Sequence, residues 1–248
     1  MTNDNGTSKL AAVIFDWGGT LTPWHTIDLA KQWQIFAEHY ALHSEGDYPD
    51  GGRDLAARMQ AAEKEAWDRL RESGESARFE DVLEAAGVKT DHPGHPAART
   101  AYEEFWEPHT LIDDDVPALF EGLRERGLRI GVLSNTIWSR EYHRALFERD
   151  GVLPYIDGDV YTSEIPWVKP HPEAFAAAMA AVGVTDPAAC VYVGDRAYED
   201  VHGAQQAGMR AVLVPHSDIP ADQQVPVDVV PDGVAQRLLD VLDLVDGW

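Results

Sequence analysis

The chain is nearly free of cysteine. Its single one, Cys190, excludes any intrachain disulfide framework. It falls in an apolar run and reads as a core residue. Long hydrophobic runs are missing too. None approaches the roughly 20 residues of a membrane-spanning helix. The opening "MTNDNGTSK" lacks the basic start and apolar stretch of a signal peptide. Together these point to a cytoplasmic protein without a membrane partner. Basic residues are scarce, 20 against 43 acidic ones, for a net charge of -23. Such a surface repels nucleic acids and anionic membranes. An anionic substrate would therefore need local positive charge, from a metal or a placed lysine. Metal-ligand histidine patterns are incomplete. His39 and His43 are one helical turn apart but have no third ligand, and zinc wants three or four. His92 and His95 sit in "HPGHP" and read as a rigid loop. Repeats and low-complexity segments are absent, and nothing in the sequence fixes an oligomeric state.

What is present is an alternating pattern. "KLAAVIFDW" (9–17) reads as a buried strand. From about 23 to 110 the periodicity is helical, over 26–43, 53–73, 78–87 and 97–107, with "GDYPDGG" and "HPGHP" as punctuation. Trp24, Trp33, Trp67 and Trp106 lie here and read mainly as packing, with one or two facing a substrate. After 110, helices and strands alternate. "VPALFEGLRERG", "WSREYHRALFERDG", "HPEAFAAAMAAVG" and "YEDVHGAQQAG" read as helices. "DDD" (113–115) suits the N-terminal dipole of the first. "LRIGVLSN" (128–135), "DGDVYTS", "CVYVGD" (190–195) and "MRAVLVP" hold strands. "VDVV" is expected to add a last strand before a helix over 233–245. Strands alternating with helices predict βαβ units and a parallel α/β sheet. Right-handed crossovers put helices on both faces, a doubly wound, Rossmann-like core. The expected division is a core of 1–22 and 111–248 with an inserted helical region of 23–110.

Ligands of such sheets bind beyond the carboxyl ends of the strands. Asp16 ends the first strand, Ser134 and Asn135 the second, and Asp195 a later one, with Asp200 five residues on. "VKPHP" brings Lys169 just before a helix. Each alone has a bland reading: Asp as a cap, Ser-Asn as a turn, Lys-Pro as a helix start. Their order at successive strand ends argues for one crevice. Three carboxylates offer hard oxygen ligands that suit magnesium. Lysine and metal would neutralise a phosphate dianion, and the glycines after Asp16 let backbone N–H groups approach its oxygens.

The motifs "DWGGTL" (16–21), "LSN" (133–135), "KP" (169–170) and "GDRAYED" (194–200), in this order, resemble those of the haloacid dehalogenase-like hydrolases. The resemblance covers roughly 9–22 and 111–230. It implies a Rossmann-like core with a mobile α-helical cap between motifs one and two. It implies that Asp16 attacks phosphorus and forms an aspartyl-phosphate that water then hydrolyses. Mg2+ would be held by Asp16, the backbone carbonyl of Gly18 and Asp195. Asp200 would lie close behind the metal or orient Lys169. Ser134, Asn135 and the N–H groups of Trp17 and Gly18 would bind phosphoryl oxygens. Lys169 would balance charge, and Thr20 would steady the loop. The implied partner is a small phosphorylated metabolite.

One position departs from the pattern. Residue 18 would be a second aspartate, acting as general acid and base, and it is Gly18. Such help is worth about 10²–10⁴-fold. Its loss predicts a preference for good leaving groups, such as anomeric or acyl phosphates, or a substitute acid, for which His25 is the best-placed residue. Two other readings remain at this level. One is phosphonate hydrolysis, which needs a lysine from the inserted region, with Lys31, Lys64 and Lys89 available by location. The other is a binding or regulatory role without turnover. Trp24, Trp33 and the residues near Arg196–Tyr198 are candidate pocket walls.

Overall fold

The computed structural model describes residues 9–24, 27–44, 46–219 and 223–248. A parallel sheet organises it: β1 (Ala12–Phe15), β2 (Arg129–Ser134), β3 (Gly158–Tyr161), β4 (Cys190–Gly194), β5 (Arg210–Leu213) and β6 (Gly233–Val234). The spatial order is β3-β2-β1-β4-β5-β6, and every paired neighbour is parallel. β1 lies between β2 and β4, with Phe15 in register with Val132 and Val193. The order reverses at β1, the switch point where such sheets open a crevice.

Period-two alternation divides the strand side chains between two cores. Val13, Phe15, Ile130, Val132, Val191 and Val193 belong to one. Ala12, Ile14, Leu133, Cys190 and Tyr192 belong to the other. α5 (Val116–Glu125) and α9 (Asp240–Asp246) cover the first face. α7 (Pro172–Ala181) covers the second, burying Ala174, Phe175 and Ala178. α6 (Arg140–Arg149) leads from β2 towards β3. Strands buried on both faces need apolar runs rather than alternation, as the sequence has.

Four helices fill the chain between β1 and α5: α1 (Leu29–Ala41), α2 (Arg53–Ser73), α3 (Phe79–Ala85) and α4 (His95–Trp106). Asp28 caps α1, its carboxylate accepting from Ala30 N. An aromatic cluster joins the helices, with Trp33 against Phe79 and Tyr102 at 5.7 and 5.3 Å between ring centroids. The chain leaves β1 and returns to α5 at nearly one point, where Asp113 N donates to Leu21 O at 2.8 Å. The helices also touch the core across the crevice, through Phe79 N to Ile137 O and Arg78 Nε to Ser163 O.

Two expectations need correction. "VDVV" forms no strand. Pro226 and Pro231 flank it, and neither can donate to a ladder. Pairing with β5 starts just beyond, where Asp232 N reaches Ala211 O and Ala235 N reaches Leu213 O. β6 therefore takes Gly233–Val234, and the final helix is only α9. The helix expected after Asp195 also opens differently. Residues Ala197–His202 form a wide turn of π-helix before the short α8 (Gly203–Gln206). Among the described residues, no helix is long and apolar enough to cross a membrane.

Candidate active site

β1 delivers Asp16 to the carboxyl edge of the sheet. Asp16 N still bonds Val193 O at 2.9 Å, and the chain then turns sharply. Trp17 O accepts from Thr20 N and Thr22 N, and Gly19 N donates to Thr22 O. Gly19 sits at φ +93°, and a Cβ there would stand 2.2 Å from Asp195 Oδ2, so only glycine fits. Gly18 differs. Its φ is not positive, and a Cβ there would meet nothing within 4 Å. The backbone does not demand glycine at 18. The missing acid leaves open space instead.

Lys169 is the hub. Its Nζ donates to Asp16 Oδ1 at 2.8 Å, Asp200 Oδ1 at 2.7 Å and Tyr192 Oη at 2.9 Å. Tyr192 Oη donates onward to Leu133 O at 2.9 Å, bracing β4 against β2 across β1. Asn135 fixes the lysine's backbone from both sides, its Nδ2 donating to Lys169 O and its Oδ1 accepting from Lys169 N. The Lys169-Pro170 bond is cis. The π-turn brings Asp200 inward, where its Oδ2 accepts from Arg196 N at 2.9 Å. Thr20 Oγ1 donates to Asp195 Oδ1 at 3.5 Å.

Asp16, Asp195 and Asp200 each offer an oxygen within 4.8 Å of the others, and all three are buried. Only one ammonium, Lys169, stands among them. Burial raises the Asp16 pKa to about 6, against the lowering pull of Lys169. Burial, then the charges of Asp16 and Asp200, hold Asp195 well above the usual carboxylate range. Burial opposes the charge on Lys169, yet its two carboxylates outweigh that and keep it protonated well above the usual range. Three hard carboxylates against one cation leave excess negative charge in a buried place, which fits a divalent cation such as magnesium.

A cavity of about 850 Å³ opens over this cluster. Asp16, Trp17, Gly18, Ser134, Asn135 and Lys169 form its floor. Its upper wall comes from the inserted segment, including Trp24 ahead of α1 and Glu63, Trp67 and Tyr102 on the helices. Asp195 and Asp200 are not on the wall. Of the other candidates, Arg196 lines the cavity, whereas Trp33 is fully buried in packing. Lys64 reaches the wall, but its ammonium is exposed and paired with Asp68. Lys31 and Lys89 do not reach it. His25 lies outside the described residues.

Tyr192, Glu63 and the pair His216 and Ser217 were not singled out by the sequence. His216 Nε2 lies 2.8 Å from Gly19 O, and Ser217 Oγ donates to the same carbonyl at 2.5 Å. Tyr192 reads as one more apolar strand position, and no local pattern marks its hydroxyl. Glu63 did leave a signal. It is a charge on the face of α2 that carries Met59, Ala62, Ala66 and Leu70.

A model of the haloacid dehalogenase-like hydrolases matches residues 10–208. A glyceraldehyde 3-phosphate phosphatase of Methanopyrus kandleri is 27% identical over 240 residues, covering 95% of this chain and 97% of that one. The haloacid dehalogenase-like hydrolase domain-containing protein 3 of Bos taurus is 30% identical over 173 residues, covering 68% and 66%. Among solved structures, a phosphatase of this family from Thermococcus onnurineus superposes with a TM-score of 0.65 at 20% identity, covering 96% and 99% of the two chains.

Proposed function

The chain belongs to the haloacid dehalogenase-like hydrolases, and we propose that it is a magnesium-dependent phosphohydrolase of a small phosphorylated metabolite. The observation that carries this reading is the cluster of Asp16, Asp195, Asp200 and Lys169 beneath a cavity. An Asp16 oxygen attacks phosphorus, and the bond from phosphorus to the ester oxygen breaks. The leaving group departs with the electron pair and takes a proton. Water then attacks the aspartyl-phosphate and restores the carboxylate. Trp17 N–H, Gly18 N–H and the Ser134 hydroxyl receive phosphoryl oxygens, and Asn135 adds the amide hydrogen that Lys169 O leaves free. Lys169 holds the charge of nucleophile and phosphoryl group together. Asp16, the Gly18 carbonyl and Asp195 would hold Mg2+, with Asp200 close behind, and the ion would offset charge on the transferring group. The inserted helices act as a cap that excludes water.

Gly18 shapes the specificity within this reading. Residue 18 supplies no carboxylate to protonate a departing alkoxide, so substrates with good leaving groups react faster. Two rival chemistries fit the geometry less well. Displacement of a halide by Asp16 would not need a metal, and Asp195 would be a charge without a purpose. Phosphonate cleavage through a lysine imine needs a desolvated amine, whereas Lys64 is exposed and salt-bridged.

The test is phosphate release from a panel of phosphorylated metabolites, with magnesium or with EDTA, using the wild type and Asp16→Asn. Metal-dependent release that the variant loses supports the reading. Release that survives EDTA or the variant overturns it, and turnover of any member rules out a purely binding role.

A further inference from the structure

Glu63 is left unused by the proposed hydrolysis. It lines the same cavity as Asp16. Trp33 Nε1 donates to its Oε2 at 2.6 Å, and Gln32 Nε2 donates at 3.0 Å. Both partners are donors, which suits an ionised carboxylate and fixes its direction. Burial nonetheless pushes the Glu63 pKa upward.

No cation among the described residues answers this charge. Lys64 and Arg71, beside it on the cavity wall, are both engaged by Asp68. Lys169 is held by Asp16 and Asp200. Arg196 donates to Gln223 O. A desolvated carboxylate without a countercharge is costly for a fold to keep. The rings of Trp24, Trp67, Tyr102 and Trp106 line the same space, and aromatic faces attract cations. Anion and rings together make a receptor for a positive group.

We infer that the substrate carries a protonated amine or quaternary ammonium group, seated against Glu63 and these rings while its phosphoryl group faces Asp16. The placement of the phosphoryl end rests on the phosphohydrolase reading, whereas the cation site needs no turnover. A cationic substituent near the ester oxygen also stabilises the departing alkoxide. That offsets part of the help that Gly18 cannot give.

Two measurements test the inference. In the first, kcat/KM with magnesium is compared for phosphocholine and its neutral carbon isostere, tert-butylethyl phosphate, and for phosphoethanolamine and propyl phosphate. In the second, tetramethylammonium is titrated into the protein without metal, read by tryptophan fluorescence. The expected preference for the cationic ester is about tenfold to a hundredfold, from a charge-assisted hydrogen bond for the primary amine and from coulombic and desolvated cation–π attraction for the quaternary ammonium. Glu63→Gln should bring that ratio close to one and weaken tetramethylammonium binding about tenfold. Equal kcat/KM for cationic and neutral esters, with no saturable ammonium binding, overturns the inference and leaves the phosphohydrolase reading standing. Saturable, Glu63-dependent ammonium binding without hydrolysis of any ester supports the cation site and sinks the phosphohydrolase reading. If Glu63→Gln fails to fold, the two wild-type measurements decide.

Discussion

Gly18→Asp puts a carboxylate where the open space beside Asp16 lies. The substitution carries no backbone penalty, because φ at 18 is not positive and the new Cβ meets nothing within 4 Å. Removing a glycine's freedom from the unfolded chain contributes about 0.4–1 kcal/mol, opposed by repulsion from Asp16 and its neighbours. The melting temperature should therefore move by only a few degrees. The same repulsion raises the pKa of the new acid, which suits a group that must donate a proton near neutral pH. A positioned acid is worth about 10²–10⁴-fold, or roughly 3–5.5 kcal/mol of barrier. That gain applies only where the leaving oxygen needs a proton. Initial rates of phosphate release, with saturating magnesium, should be measured on a simple alkyl monoester and on a sugar 1-phosphate. The alkyl ester should gain at least a hundredfold and the sugar 1-phosphate less than about tenfold. An equal gain on both, or none on either with an unchanged melting temperature, would refute the argument that Gly18 limits protonation of the leaving group.

Other consequences of the site can be checked directly. Lys169→Met leaves three buried carboxylates without their ammonium and should cost about 3–5 kcal/mol in denaturant unfolding, with magnesium restoring part of it. Gly19→Ala drives a methyl into Asp195 at an unfavourable φ. It should cost about 1–3 kcal/mol by thermal melting and weaken magnesium binding measured by calorimetry. The pKa of Asp16 is raised from 3.8 to about 6, so the metal-free fold holds that proton more tightly than the unfolded chain does. Its contribution to stability is complete below pH 3.8 and lost as pH rises through about 6. Magnesium should therefore stabilise the protein more at pH 7 than at pH 4.5 in melting experiments, and equal stabilisation would contradict this assignment.

The parallel sheet was legible because strands buried on both faces write continuous apolar runs, and the helices between them carry clear periodicity. The residues that end those strands were legible for the same reason: Asp16, Ser134 and Asp195 are where apolar runs stop. The chain end was misread because "VDVV" looks like a strand in isolation. Whether it pairs depends on the two prolines around it and on where β5 offers free carbonyls. Tyr192 was invisible because its hydroxyl reaches across β1 to partners on another strand and on a distant loop. The cavity wall was equally hidden. Glu63 and Trp67 share α2, but Tyr102 and Trp106 of α4 and Trp24 ahead of α1 join them only through tertiary packing, and helical periodicity says which face is apolar but not what that face meets.

The bond from Asp113 N to Leu21 O has a consequence for ancestry as well as for architecture. A segment that leaves and re-enters the sheet at one spot imposes no separation on the strands that flank it. The entropy of closing such a loop grows only with the logarithm of its length. A short turn or a long helical bundle can therefore occupy the interval at nearly the same cost to the sheet. Insertions there are tolerated, so specificity can diversify through recombination while the floor of the cavity, anchored by β1, β2 and β4, stays in register.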